Sequence, residues 1–479
     1  MVKATPMVRQ YLSIKQHHPD AILFFRMGDF YEMFFEDAQV ASRILEIALT
    51  SRNKKDEGSI PMCGLPYHAA QAYIARLIEH GFKVAICEQM EDPARAKGLV
   101  KREVVRVITP GVVVETEILD AKSNNFLMAL YALQDRYGIA HLDISTGTFR
   151  VTESSQFEAL LDECRRIEPR EALVSESHRE APQIKALVGL LEQTSISYLK
   201  DETFELESAR ARLLRQFNTR SLEGFGCNQW QAGIAAAGAL LRYVDETHKG
   251  DLVHLTRIVS YSLSDFMVID EATKRNLELF ETIRTGARRG SLLGVMDYTV
   301  TAMGGRMLRG WLQYPLLDSA QIKLRLDAVE EAREKLPVRR SIRKALNEIH
   351  DLERLNSKIA LDRCNARDLV ALKHSIKRLP QIRLLVEGYT SGLFSKIRSE
   401  WDDLADIGRL IDQSISDEPP LTLREGGIIK PGFDQELDEV IRTSQEGKDW
   451  ISSLEASERQ ATGINSLKVG FNKVFGYYI

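Results

Sequence analysis

Residues Met27-Gly28-Asp29-Phe30-Tyr31-Glu32 bring together a glycine, an aromatic ring and a carboxylate. They follow a short apolar run, Ala21 to Met27, that reads as a buried strand. A glycine lets the backbone turn tightly and lie close to a ligand. An aromatic ring on a rigid turn can wedge between stacked bases, and a carboxyl group beside it can bond an exposed base edge. A second reading needs no ligand. Phe24, Phe25, Phe34 and Phe35 crowd the same segment, so Phe30 also suits a packed core. Glu32 also suits the first turn of a helix expected over Tyr31 to Leu49, where an acid stabilises the N-terminus. Composition leaves both readings open.

Elsewhere the search for catalytic chemistry is negative. The chain has no G-x-x-x-x-G-K-S/T phosphate loop, no G-x-G-x-x-G between strand and helix, and no G-x-S-x-G. His17-His18 has no metal-ligand partner at helical spacing. Cys63, Cys87, Cys164, Cys227 and Cys364 are scattered without a C-x-x-C pair, so neither a disulfide framework nor a zinc site is expected, and a reducing cytoplasm fits. Asp143 stands near a strand end, but a metal-dependent nuclease needs several converging carboxylates and no matched set is visible. We therefore expect no catalytic residue, metal or cofactor in this chain.

The elements that must hold these residues fall into four stretches. Residues 1–112 alternate helix and strand: Thr5-Pro6 is a capped helix start, and Val84 to Glu88 and Val104 to Ile108 are strands. Residues 118–245 open with three strands at hairpin spacing, then helices and one more strand at Ala172 to Ser175, an order suited to an RNase H-like core. Residues 255–425 are almost entirely helical. Residues 426–479 hold a long helix, about Asp434 to Ala461, and two strands. The expected fold is multidomain, α/β followed by all-α. The last strand ends the sequence and the long helix has no returning partner, so the chain is expected to be part of a longer protein.

With 479 residues, 44% hydrophobic and 28% charged, the chain can build several cores, which excludes whole-chain disorder. No apolar run approaches the roughly 18 residues of a membrane span, so no membrane partner is expected. The net charge of −4 excludes a uniformly basic coat but not nucleic-acid binding, which depends on where charge sits. Thr282 to Gly310 carries five arginines against one aspartate, and such an excess can contact phosphates or simply be solvated.

Gly28 to Glu32, with the residues on either side, resembles the mismatch-recognition motif of the bacterial MutS family. The resemblance continues through Ile60 to Ala69, Val84 to Gln89, Arg106 to Gly111, Asp270 to Leu279, Thr301 to Leu312 and Leu467 to Ile479, and so covers nearly the whole chain in order. It implies a mismatch-recognition domain (1–112), an RNase H-like connector (118–245), a helical core and lever (255–425) and the start of a clamp (426–479). It implies that Phe30 enters the minor groove of kinked DNA at a mispaired or unpaired base and that Glu32 hydrogen-bonds that base. Met27, Gly28 and Asp29 would lie along the same groove. Arg52, Asn472 and Lys473 would contact DNA. For the full-length protein the resemblance implies a homodimer on double-stranded DNA with mismatches or small loops, contact with MutL, ATP and Mg2+ in a domain absent here, and a cytoplasmic, nucleoid-associated location. Three rivals are a metal-dependent nuclease, a helical scaffold without a nucleic-acid role, and a relative that binds branched DNA; the presence of both Phe30 and Glu32 argues against the last.

Overall fold

The structure is a computed structural model that describes residues 5–52, 60–91, 98–472 and 476–478. The chain divides into two compact units, Met1–Cys364 with Gln381–Trp401, and Asn365–Pro380 with Asp402–Ile479.

The first unit begins with α1 (Pro6–His17), whose cap Thr5 accepts from the Val8 amide. Then come β1 (Ala21–Met27), β2 (Phe30–Phe34), α2 (Phe35–Leu45), β3 (Thr50–Arg52), β4 (Ile60–Pro66), α3 (Ala70–Glu79), β5 (Lys83–Gln89) and β6 (Arg102–Ile108). These strands make a six-stranded sheet in the order β3-β4-β2-β1-β5-β6. One face packs Phe24, Tyr31 and Met33 against α2 and α3; the other packs Leu23, Phe25 and Phe34 against Tyr11 of α1. Asp37 ties the layers together, accepting from the Tyr11 hydroxyl at 2.8 Å, Lys15 Nζ at 2.8 Å and the Leu23 amide at 3.0 Å.

The helix expected over Tyr31 to Leu49 is a correction. Phe30 to Phe34 is a strand, and α2 occupies only Phe35–Leu45. The segment alternates: Tyr31 and Met33 enter one core while Phe34 enters the other. Both faces are apolar at the buried end, which hides the period of two that a half-exposed strand displays. Glu32 is therefore a strand residue and not a first-turn helical acid.

A second sheet follows: β7 (Leu127–Leu133), β8 (Arg136–Asp143), β9 (Thr148–Ser154), α4 (Phe157–Ile167), β10 (Glu171–Ser175), α5 (Pro182–Leu190), β11 (Ser195–Leu199), α6 (Leu206–Gln216), α7 (Ala232–His248) and β12 (Val259–Ser260). Its order is β11-β10-β7-β8-β9-β12, with an antiparallel β7-β8-β9 meander and β10 and β11 added in parallel. That is the arrangement of an RNase H-like core, extended by β12 pairing in parallel with β9. The Ala- and Gly-rich α7 lies so close to the sheet that a Cβ on Gly138 would meet the Ala232 carbonyl carbon at 2.1 Å.

Helices dominate beyond Tyr261: α8 (Glu271–Asn276), α9 (Leu292–Met296), α10 (Ala302–Gln313), α11 (Ser319–Glu334), α12 (Leu336–Leu346), α13 (Leu352–Ala360), α14 (Ala366–Ile376), α15 (Leu379–Val386), α16 (Gly392–Ser399) and α17 (Ala405–Ser414). Within the second unit, Val370 of α14 packs with Ile411 and Ile415, and Lys373 is buried against Asp417 at 2.5 Å and Asp412 at 3.2 Å. The unit ends with the long α18 (Gln435–Thr462) and a hairpin of β13 (Gly470–Asn472) and β14 (Gly476–Tyr478). Among the described residues no helix is long and apolar enough to cross a membrane.

Candidate functional site

The β1–β2 hairpin pairs Met27 with Phe30, Arg26 with Tyr31 and Phe25 with Glu32. Gly28 and Asp29 form its two-residue turn. Gly28 has φ +60° and Asp29 is not left-handed, the pattern of a type II′ turn with glycine at its first central position. On its other edge β2 pairs with β4, placing Phe30 opposite Pro66 and Glu32 opposite Gly64. Phe30 thus stands on a strand that is paired along both edges.

Side chains alternate along β2, so Phe30, Glu32 and Phe34 share one face. Phe34 is fully buried beneath α1, Glu32 is half-buried, and Phe30 is 47% exposed. The face runs from core to solvent in five residues, and the ring at its solvent end is a large apolar group standing on a paired strand. Met27 lies beside Phe30 on that face.

Glu32 faces Gly64 across the β2–β4 pair. A Cβ on Gly64 would lie 3.2 Å from the Tyr31 carbonyl oxygen, a tight approach to backbone, and would meet Glu32 Cγ at an ordinary 3.5 Å. Arg102 on β6 is within electrostatic reach of Glu32. Burial lowers the Arg102 pKa, and Glu32 pulls it the other way. Arg102 is fixed by donating to the Arg26 carbonyl at 2.7 Å and the Gln10 amide oxygen at 3.1 Å, and it stacks over Phe25 at 4.9 Å. Sequence reading missed Arg102 and Gly64; a charged residue at the start of an apolar strand and a glycine inside another were the available signals.

Other expected contacts are distributed differently. The backbone of Arg52 is on the edge strand β3, opposite Ile60, while Phe30 is opposite Pro66. At about 3.3 Å per residue along β4, those levels are about 20 Å apart. The Arg52 side chain lies outside the described residues. So does the side chain of Asn472, whose backbone ends β13, and so does all of Lys473.

The arginines of Thr282 to Gly310, for which the sequence left phosphate contact and solvation both open, are in part packing groups. Arg306 is buried and bonds Asp351 at 2.7 Å and Glu353 at 2.6 Å. Arg309 pairs with Glu168 at 2.7 Å, and Arg288 pairs with Asp297. Arg284 and Arg289 are exposed. Asp143 is also a structural group: it accepts from the Asn124 side chain at 2.8 Å, the Ser145 amide at 3.0 Å and the Ser145 hydroxyl at 2.7 Å. Among the described residues no group of three or more His, Cys, Asp or Glu could hold a metal ion.

Three family models match the chain in order: MutS domain I over residues 5–117, MutS domain II over 125–256 and MutS domain III over 272–467. The chain is 50% identical over 490 residues to the DNA mismatch repair protein MutS of Desulforapulum autotrophicum, covering 100% of this chain and 54% of that protein. It is 50% identical to the protein of the same name from Desulfatibacillum aliphaticivorans, covering 100% and 54%, and 49% identical to that of Halothermothrix orenii, covering 100% and 53%. The chain spans about half the length of the curated relatives it matches.

Proposed function

The chain belongs to the MutS family of DNA mismatch-repair proteins, and on that premise we propose that its first sheet reads mispaired or short unpaired bases in double-stranded DNA. Phe30 is the wedge that enters the minor groove, and Glu32 bonds the displaced base. Met27, Gly28 and Asp29 lie along the groove. The observation that carries this reading is the placement of Phe30: an exposed ring on a strand paired on both sides, with a carboxylate two residues on along the same face.

Mispairs share no donor–acceptor pattern that a base-edge contact could recognise. They do share weakened stacking. Inserting a ring unstacks a base step at a cost of a few kcal/mol, and the cost is smaller where pairing is already faulty. The wedge thereby turns deformability into selectivity. Glu32 adds a second filter. Its charge is repelled by the phosphates of any duplex, and only a base freed by mispairing offers a hydrogen bond that offsets the repulsion. Alternation along β2 puts the carboxylate on the Phe30 face, where the displaced base would arrive.

For the whole protein we propose a homodimer in which one copy's Phe30 and Glu32 engage the mismatch, with MutL as partner and ATP with Mg2+ as cofactor. The test is equilibrium binding of a duplex with one G·T mispair or one unpaired T, against its matched twin, at fixed salt. The wild type should prefer the faulty duplex and Phe30→Ala should lose that preference. Equal binding of both duplexes by wild type and variant would reject the reading.

A further inference from the structure

Arg26 is the single charged side chain of β1, and it lies on the face opposite Phe30 and Glu32. Its guanidinium stacks on the Tyr67 ring, with Cζ 3.7 Å from the centroid, and its Nη1 is 3.8 Å from Glu88 Oε2. The Tyr31 hydroxyl donates to the other oxygen of Glu88. Burial first, and then the Glu88 bond, raise the Tyr31 pKa, so the phenol stays a donor. The Arg26 Nε donates to the Gly28 carbonyl, and the Tyr67 amide donates to the Asp29 carbonyl at 2.9 Å. Both carbonyls of the turn that precedes Phe30 are thus held, one by Arg26 and the other by the residue whose ring Arg26 covers.

A cavity of about 380 Å³ opens behind the hairpin, lined by Tyr31, Tyr67, Ile74, Glu88 and Ile118 among others. With open space on that side, the contacts of Arg26 with Tyr67, Glu88 and the Gly28 carbonyl are the polar ties of the turn, in addition to the strand pairing and the buried Tyr31.

We propose that Arg26, seated on Tyr67 and anchored to Glu88, is the positioning residue that makes the Phe30 hairpin rigid enough to act as a wedge. The proposal rests on the reading of Phe30 given above. A ring on a loose turn would swing back when pressed against a stacked step. It would also lose ordering entropy on binding, as any group not preorganised does. Stiffness matters only where the ring is driven into the stack. Contacts to the phosphates of matched DNA do not depend on it.

The test compares Arg26→Lys, Tyr67→Phe, Tyr67→Leu and Phe30→Ala with wild type. It uses this chain and any longer form of the protein that contains it. The probes are G·T and matched duplexes, with thermal unfolding measured alongside. Lysine keeps the charge but loses the flat stack and the Nε donor. Arg26→Lys and Tyr67→Leu should each lower mismatch discrimination roughly tenfold while matched-duplex affinity stays at the wild-type value. Tyr67→Phe keeps the ring face and should retain discrimination. Amide exchange at Tyr67 should quicken in Arg26→Lys. Discrimination lost in Phe30→Ala but untouched in both Arg26→Lys and Tyr67→Leu would overturn the proposal. An equal loss of affinity for both duplexes would do so too. Discrimination unchanged in Phe30→Ala would instead remove the wedge reading beneath it.

Discussion

Glu171 offers the sharpest test of how the first sheet is joined to the second. Its side chain is fully buried at the start of β10. One oxygen accepts from the Tyr243 hydroxyl at 2.6 Å and the Ser197 hydroxyl at 2.7 Å. The other accepts from the Thr109 hydroxyl and the Gly111 amide at 3.1 Å, both just past the end of β6. Lys83 Nζ stands 3.8 Å away. Glu171→Gln preserves the shape but puts an NH2 where one oxygen accepted two bonds, and it removes the charge opposite Lys83. Each bond to a charged acceptor contributes about 1.5–3 kcal/mol, so two lost bonds with partial rearrangement predict about 3 kcal/mol of destabilisation. Glu171→Ala strands all four donors and should cost about 4–5 kcal/mol. Urea denaturation followed by circular dichroism reads both values, and hydrogen exchange at Gly111 localises the loss. Variants within about 0.5 kcal/mol of wild type, the range of an ordinary surface substitution, would refute this account of the junction.

Two further outcomes follow from the same geometry. His248 ends α7 in a buried site where burial, Arg363, Arg106 and His254 lower its pKa and Glu115 raises it, leaving it at about 4. An unfolded histidine titrates near 6.5, so between that pH and about 4 the unfolded chain binds a proton that the folded chain refuses. The contribution is intact above 6.5 and is lost as pH falls toward 4, by up to about 3 kcal/mol. His248→Gln should flatten that part of the stability profile, and a wild-type slope in the variant would count against the assignment. Gly138→Ala would push a Cβ to 2.1 Å from the Ala232 carbonyl carbon and 2.2 Å from the Gly233 nitrogen. Backbone cannot yield as a side chain does, so a loss of about 3 kcal/mol or more is expected in thermal unfolding; an unchanged midpoint would mean that α7 does not sit so close.

The sequence made some of this legible and hid the rest for physical reasons. The β7-β8-β9 meander announced itself through turn residues at hairpin spacing, and α18 through its length. The short β2 did not. It lies between a strand and a helix and is apolar on both faces at its buried end, so a period of two and a period of 3.6 fit almost equally. Charge counting found the arginines of Thr282 to Gly310 but not their partners, because Glu168, Asp351 and Glu353 come from distant segments. Phe30 and Glu32 could be singled out as a pair because both lie on one short local segment. Arg26, Arg102, Gly64 and Glu88 could not, since each matters only through a neighbour on another strand. Apolar pattern is local and can be read along the chain, whereas polar partnership is decided by topology.

The central claim is that the ring of Phe30 stacks against a mispaired or unpaired base. The most direct measurement is the fluorine resonance of 4-fluorophenylalanine placed at position 30, recorded with saturating G·T duplex and with saturating matched duplex. A new resonance, shifted by the ring current of the stacked base and present only with the faulty duplex, is the predicted result. The same resonance with both duplexes, while both are bound, would contradict the claim.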